Sequence, residues 1–311
     1  MDAAFRAAIL AWYDARGRSL PFRGTRDPYA IVVSETMAQQ TQIGRVGPAW
    51  ERFVATFPSF EALAAASPAD VQRAWQGLGY NRRALLLQRT ARAVVEEHGG
   101  QLPSEVGELE RLPGIGPYTA RAVAAIGFGA PVGAVDTNVR RVLGRVVAGD
   151  AHALSARELQ VLADQLVPPD RTADWTHAVM DVGATFCRSR RPLCDGCPAR
   201  PWCGFAAAGN DTASVSAAQP RTQPRGKSRS VAKAAPFETT SRWLRGRILD
   251  RLRAAKGDAW TTFVGSIGPH AHGTVLVALA TLDREGLLEL SSDDPSRARI
   301  PAELSRLAAS G

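Results

Sequence analysis

The chain has 311 residues, 45% of them hydrophobic, with 38 Lys+Arg against 30 Asp+Glu for a formal net charge of +8. Such a length holds about two domains, the apolar content excludes wholesale disorder, and no apolar run approaches the ~18 residues of a membrane-spanning helix. The sequence pI near 9.9 points to a polyanionic partner, and with no lysine before Lys227 the first 226 residues cannot form a lysine Schiff base.

Near the N-terminus, Asp2, Arg6 and Asp14 interrupt any signal-peptide core, which predicts a cytoplasmic protein. Over residues 5–205 apolar side chains recur at helical spacing, as in Phe5-Ile9-Tyr13, Val46-Trp50-Phe53 and residues 85–95. Pro58, Pro68, Gly99-Gly100, Pro103 and Pro113 punctuate these segments. No alternating strand pattern and no βαβ rhythm is present, so this first two-thirds is expected to be all-α.

Residues 112–120 read Leu-Pro-Gly-Ile-Gly-Pro-Tyr-Thr-Ala. A helix is expected to end at about Leu112, a turn to follow at Gly114 and Gly116, and a new helix to begin with Pro117. Glycines let a ligand approach the backbone, and N–H groups at a helix start favour an anion. The segment therefore reads as a helix-hairpin-helix phosphate site, or as a plain αα-hairpin. Asp136, in Val-Asp-Thr-Asn-Val-Arg-Arg, precedes another helix. It suits both an N-cap and a functional carboxylate.

Four cysteines, Cys187, Cys194, Cys197 and Cys203, follow with the spacing C-x6-C-x2-C-x5-C. A disulfide framework does not suit a cytoplasmic chain. Clustered thiolates suit a soft metal, either zinc or an iron–sulfur cluster. With one short knuckle instead of two, the uneven loop fits a 4Fe–4S cubane better than a zinc ribbon. Arg188, Arg190, Arg191 and Arg200 would balance the thiolate charge or bring phosphate to the loop.

Residues 209–236 are rich in Ala, Ser, Thr, Gln and Pro, with basic residues in excess. They read as a flexible basic linker. Beyond it, residues 242–255 form an amphipathic helix with Leu244, Ile248, Leu249 and Leu252 inward, and residues 274–285 a second helix. Residues 287–290 and 297–300 make two short strands around Asp293-Asp294-Pro295. This order is that of a winged helix, or of a small α/β module that packs on the main domain.

The hairpin, Asp136 and the cysteine loop together resemble the helix-hairpin-helix DNA glycosylases related to endonuclease III. Val33-Ser34-Glu35-Thr36-Met37-Ala38-Gln39-Gln40-Thr41-Gln42 narrows the resemblance to the MutY-type adenine glycosylases, over roughly residues 5–205. It implies a mainly α, two-lobed fold. A six-helix barrel would span about residues 25–131, a cluster lobe residues 1–24 and 132–208, and the small C-terminal domain residues 237–311. It also implies a nucleoid-associated monomer. Such a protein binds double-stranded DNA at a mismatched or damaged pair, flips the target base and cuts its N-glycosidic bond.

By this resemblance Glu35 matches the catalytic acid and Asp136 the second carboxylate. Protonation turns a purine into a better leaving group, which requires an acid of raised pKa. An ionised carboxylate offsets the oxocarbenium charge left on the sugar. Tyr118 stands where the lyases of the superfamily carry lysine, so a monofunctional glycosylase without strong AP lyase activity is expected. Gln40 and Thr41 would approach the base opposite the target. Leu78 and Tyr80 would wedge into the vacated stack, or else pack in the core. Arg23 and His177 would lie near the flipped base, and Gly114 and Gly116 at a phosphate. The four cysteines would ligate a structural 4Fe–4S cluster.

The chain departs from the MutY pattern at Ala38, where leucine is usual, at Phe22, where tryptophan is usual, and at His177, where Glu or Gln is usual. Residues 237–311 are also too few for the Nudix-like domain that helps MutY proteins recognise 8-oxoguanine. The leading expectation is a base excision repair enzyme that removes adenine opposite 8-oxoguanine or guanine. The alternatives are a thymine/uracil mismatch glycosylase and a non-catalytic DNA-binding protein with a structural cluster.

Overall fold

The computed structural model describes residues 3–210, 236–255 and 259–303. The expected linker falls almost wholly outside the described residues. In chain order the first helices are α1 (Ala3–Arg16), α2 (Pro28–Ala38), α3 (Ile43–Thr56), α4 (Phe60–Ala65), α5 (Pro68–Ala74), α6 (Arg82–His98) and α7 (Val106–Leu109). They are followed by α8 (Pro117–Gly127), α9 (Thr137–Ala148), α10 (Ala156–Leu166), α11 (Thr172–Thr185) and α12 (Gly204–Ala207). The C-terminal residues add α13 (Ser241–Ala254), β1 (Thr261–Thr262), α14 (His272–Arg284), β2 (Glu289–Leu290) and β3 (Arg297–Arg299). The chain is mainly α, as its periodicity predicts. No helix among the described residues is long and apolar enough to cross a membrane.

Local chemistry sets the helix ends. Ser155 and Glu158 close a capping box on α10, and Ser59 and Ser67 cap α4 and α5. Each cap satisfies backbone N–H groups that have no partner inside the helix. α7 ends at Leu109, short of the expected Leu112. The next residues close i→i−3 bonds instead, Arg111 N–H to Glu108 and Leu112 N–H to Leu109, and Pro113 has no N–H to carry a helix on. α8 begins at Pro117, as expected, after Gly114 turns at φ +81°.

The described residues fall into two compact units, one drawn from Met1–Glu35 and Leu102–Gln223, the other from Thr36–Gln101 and Pro224–Gly311. The first is built around α11, buried along most of its length and packed on α1, α8 and α9. Phe5 of α1 meets Trp175 and Trp202 edge-on, with centroids 6.0 and 5.7 Å away. In the second unit α4 and α5 pack on α6. The C-terminal residues share their core, because Ala69 and Leu85 belong to the same buried cluster as Leu244, Leu252, Phe263 and Leu279. The three strands form one antiparallel sheet in the order β1-β3-β2, with Ala298 opposite Thr261 on one side and Leu290 on the other.

Candidate active site

α2 is apolar on nearly every side, and Ile31, Val32, Val33 and Ser34 are buried. A carboxylate carried on such a helix loses water. Glu35 is half-buried, and its Oε2 accepts the Tyr118 hydroxyl at 2.9 Å. Burial is the main reason its pKa stands above the ordinary carboxylate value. The Tyr118 hydrogen bond opposes the rise, Asp136 reinforces it, and Arg23 opposes it. Among the described residues nothing bonds the other Glu35 oxygen. Tyr118 lies in the first turn of α8, and burial together with Glu35 and Asp136 raises its phenol well above the usual value.

Asp136 is the N-cap of α9. Its Oδ1 accepts the backbone N–H groups of Asn138 and Val139 at 2.8 and 2.7 Å, and its Oδ2 accepts Asn138 Nδ2 at 2.9 Å. The cap reading and the carboxylate reading are thus compatible. The clamp extends further, since Arg141 donates to Asn138 Oδ1 at 2.7 Å, to the Gly183 carbonyl at 2.9 Å and to the carbonyl of Cys187. A continuous chain of hydrogen bonds therefore runs from Asp136 to the first cysteine. Asn138 and Arg141 carry no signature in the sequence beyond their nearness to Asp136.

A second cluster gathers around Asp181, which is 0% exposed in the apolar middle of α11. Arg23 grips it through two bonds of 2.6 and 2.7 Å, and Arg18 through its Nε at 2.6 Å and its backbone N–H at 2.9 Å. Burial alone would raise the Asp181 pKa, but the hydrogen bonds of Arg23 and Arg18 outweigh it and hold the carboxyl below its usual value. Sequence reading picked out Arg23 but missed Asp181. A lone acid within Ala-Val-Met-Asp-Val-Gly was the available signal. His177, one helical turn earlier, is 7% exposed, and its Nε2 has no hydrogen-bond partner among the described residues. Burial and then Arg23 push its pKa down to about 3, so the ring is neutral.

In the other unit, two segments share one clamp. Arg83 donates to the carbonyls of Thr36 and Met37 at the end of α2, at 2.6 and 3.1 Å, and to Thr41 Oγ1 at 3.0 Å. It also donates to the carbonyls of Leu78 and Gly79 at 3.4 and 3.3 Å. Burial pushes its pKa down to about 10. Gln40 and Tyr80 lie in the two segments it joins, and they are the non-glycine residues with positive φ, +53° and +45°, among the described residues. Backbone strain of this kind persists where the surroundings over-determine it, often at ligand contacts. Leu78 is buried, so its side chain packs inward, while Tyr80 is 46% exposed.

Cys187, Cys194, Cys197 and Cys203 all line one pocket, closed on its apolar side by Val142 and Phe186. Arg145 reaches it, with Nη1 at 3.5 Å from Cys187 Sγ and its guanidinium 4.5 Å from the Phe205 ring centre. Burial pushes the Cys197 thiol up to about 12. Among the described residues no three Cys, His, Asp or Glu side chains converge as ligands of one ion.

The family described as the HhH-GPD superfamily of base excision DNA repair proteins matches residues 33–169, a span that holds Glu35, Tyr118 and Asp136. The hairpin, the carboxylate pair and this match place the chain in that superfamily. An adenine DNA glycosylase of Mycolicibacterium smegmatis is 42% identical over 248 residues, 79% of this chain and 79% of its own. The human adenine DNA glycosylase is 44% identical over 212 residues, which cover 64% of this chain and 39% of that longer protein. The chain belongs to the adenine DNA glycosylase family. A solved thermostable thymine-DNA glycosylase is also similar, with a TM-score of 0.62 and 31% identity over 66% of this chain and 95% of its own.

Proposed function

We propose that the chain excises adenine from duplex DNA where it is mispaired with 8-oxoguanine or guanine, leaving an intact strand with an abasic site. The observation that carries this reading is Glu35, a carboxyl of raised pKa bound by Tyr118 on one oxygen, with Asp136 as its charged neighbour. Tyr118 occupies Oε2, so the acid proton rests on the other oxygen and passes from there to the departing purine. The negative charge of Asp136, held in place by three N–H donors, then faces the cationic sugar. Arg23 and the neutral His177 serve the flipped base, Gln40 and Thr41 the base opposite it, and Tyr80 the vacated stack. Gly114 and Gly116 let a phosphate approach the backbone.

Tyr118 supports a monofunctional enzyme, since a phenol forms no Schiff base. Single-turnover assays on duplexes carrying A:8-oxoG, A:G, T:G and U:G, with hot alkali to reveal abasic sites, test the whole reading. Adenine release that is lost in Glu35→Gln, with duplex affinity retained, is the expected result. Dominant thymine or uracil release would overturn it in favour of the mismatch reading. That second reading draws on the 31% identity to the thymine-DNA glycosylase and on Ala38, Phe22 and His177, but the adenine relatives are more similar.

The cysteine pocket suits a 4Fe–4S cluster held by Cys187, Cys194, Cys197 and Cys203. All four cysteines line that one pocket, and their C-x6-C-x2-C-x5-C spacing, with one short knuckle instead of the two of a zinc ribbon, favours the cubane. When bound, the cluster would cross-link residues 187–203 and hold that loop in shape.

A further inference from the structure

The C-terminal residues are fixed to the two helices that flank residues 75–81. Beyond the shared core, Gln72 of α5, 0% exposed, donates to the Leu287 carbonyl at 3.2 Å. Arg73 donates to the carbonyls of Arg253 and Ala255 at 3.2 and 3.3 Å. Arg253 donates to Asn81 Oδ1 at 2.5 Å, one residue past Tyr80. The docking thus bears directly on a turn in which Gly77, Gly79 and Tyr80 all hold positive φ.

Arg242, in the first turn of α13, places its guanidinium 5.0 Å from the Tyr80 ring centre, within cation–π reach. Other arginines of α13 have carboxylate partners, Glu285 for Arg245 and a shared Asp250 for Arg247 and Arg253. Arg242 is exposed, and no carboxylate among the described residues pairs with it. The helix dipole disfavours a cation in the first turn, so the helix gains nothing from arginine there. What the position supplies is an uncompensated charge beside an exposed aromatic ring, the pairing with which proteins hold a nucleic-acid backbone next to a stacked base.

Another exposed arginine of the module, Arg297, stands 5.7 Å from the Trp260 ring centre, but it lies next to Asp294 of the acidic turn. The turn between β2 and β3 carries Asp293 and Asp294, which repel phosphate. α14 has one arginine, Arg284, in its last turn and exposes Val277 at 67%. A winged-helix-like module with an acidic wing is poorly suited to read DNA in the usual way.

We propose that the C-terminal module completes the duplex-binding surface, bracing the Tyr80 turn and setting Arg242 against a backbone phosphate beside the base step that Tyr80 enters. This rests on the reading of the chain as a DNA glycosylase with Tyr80 as its wedge. The test uses the full chain and a duplex carrying a non-hydrolysable adenine analogue opposite 8-oxoguanine. Its affinity is measured by fluorescence anisotropy across a salt series.

Loss of one phosphate contact lowers the slope of log K against log salt by about 0.9. Arg242→Ala should show that drop and bind roughly fivefold more weakly at moderate salt. Arg242→Lys should recover the slope, because it keeps the charge. Arg251→Ala, nine residues on and so on the opposite side of α13, should match the wild type. A wild-type slope in Arg242→Ala, or an equal loss in Arg251→Ala, overturns the proposal. Excision of adenine is followed in parallel. If the wild type binds the duplex but releases no adenine, the catalytic reading fails while the Arg242 comparison still decides the binding one.

Discussion

Gly183 is where helix packing and the chemistry of Asp136 meet. A Cβ at this position would stand 2.6 Å from Asn138 Cβ and 3.2 Å from the backbone Cα and C of the same residue. Carbon pairs rest at about 3.5–4.0 Å, so Gly183→Ala must part α9 from α11 locally by roughly 1 Å. Neither neighbour is the end of a flexible side chain that could swing away. Overpacking of this kind costs about 1–3 kcal/mol, so the melting temperature should fall by several degrees. The larger effect is expected in catalysis. Asn138 holds Asp136 Oδ2 and is held in turn by Arg141, and a shift of about 1 Å in a catalytic group lowers a rate about 100-fold.

The assay is single-turnover release of adenine from an A:8-oxoG duplex, compared with a melt of the same preparation. Gly246→Ala serves as the control, since a Cβ there meets nothing within 4 Å; it should gain up to about 1 kcal/mol of helix stability and keep the wild-type rate. A Gly183→Ala enzyme with a lowered melting temperature and an unchanged rate would refute the reasoning, because Asp136 would then tolerate the loss of its clamp.

Two further outcomes are expected. Asp136→Asn keeps a good N-cap, so the melt should hardly move while excision drops by about 100-fold or more, as on loss of one electrostatic group at a transition state; equal losses in both would make Asp136 a cap alone. His177 titrates near 3 when folded and near 6.5 when unfolded. The unfolded chain therefore takes up the proton first, and stability is full above pH 6.5 and drains away as the pH falls towards 3. At pH 5 that loss is about 2 kcal/mol. His177→Gln should flatten the melting temperature over this window, and an unaltered pH dependence would show that the ring is not the group responsible.

Periodicity and breakers carried much of the fold into the sequence. Leu244, Ile248, Leu249 and Leu252 are the buried face of α13, and Pro117 starts α8 because proline at N1 forgoes only a donor that had no partner. Glu35, Tyr118 and Asp136, read from three separate motifs, come together in one cluster. The features that went unread were those set by distant partners. Thr261–Thr262 is a strand only through its pairing with residues 297–298. Arg18 and Arg23 meet Asp181 across more than 150 positions, and nothing local to any of the three announces it. The same holds for Gln72 and Leu287, whose bond welds the chain's last module to its early helices.

That bond spans 215 positions. At a ribosomal pace of about 5–20 residues per second, α5 and α6 wait roughly 10–40 s for the residues that complete their core. Through that interval Ala69, Leu85 and the fully buried Gln72 have no cover, and the nascent chain presents an unfinished apolar surface. Stop codons or frameshifts late in the gene would therefore harm an early segment of the protein as well as its end. The growing chain is a natural client for chaperones that hold exposed apolar surface until synthesis is complete.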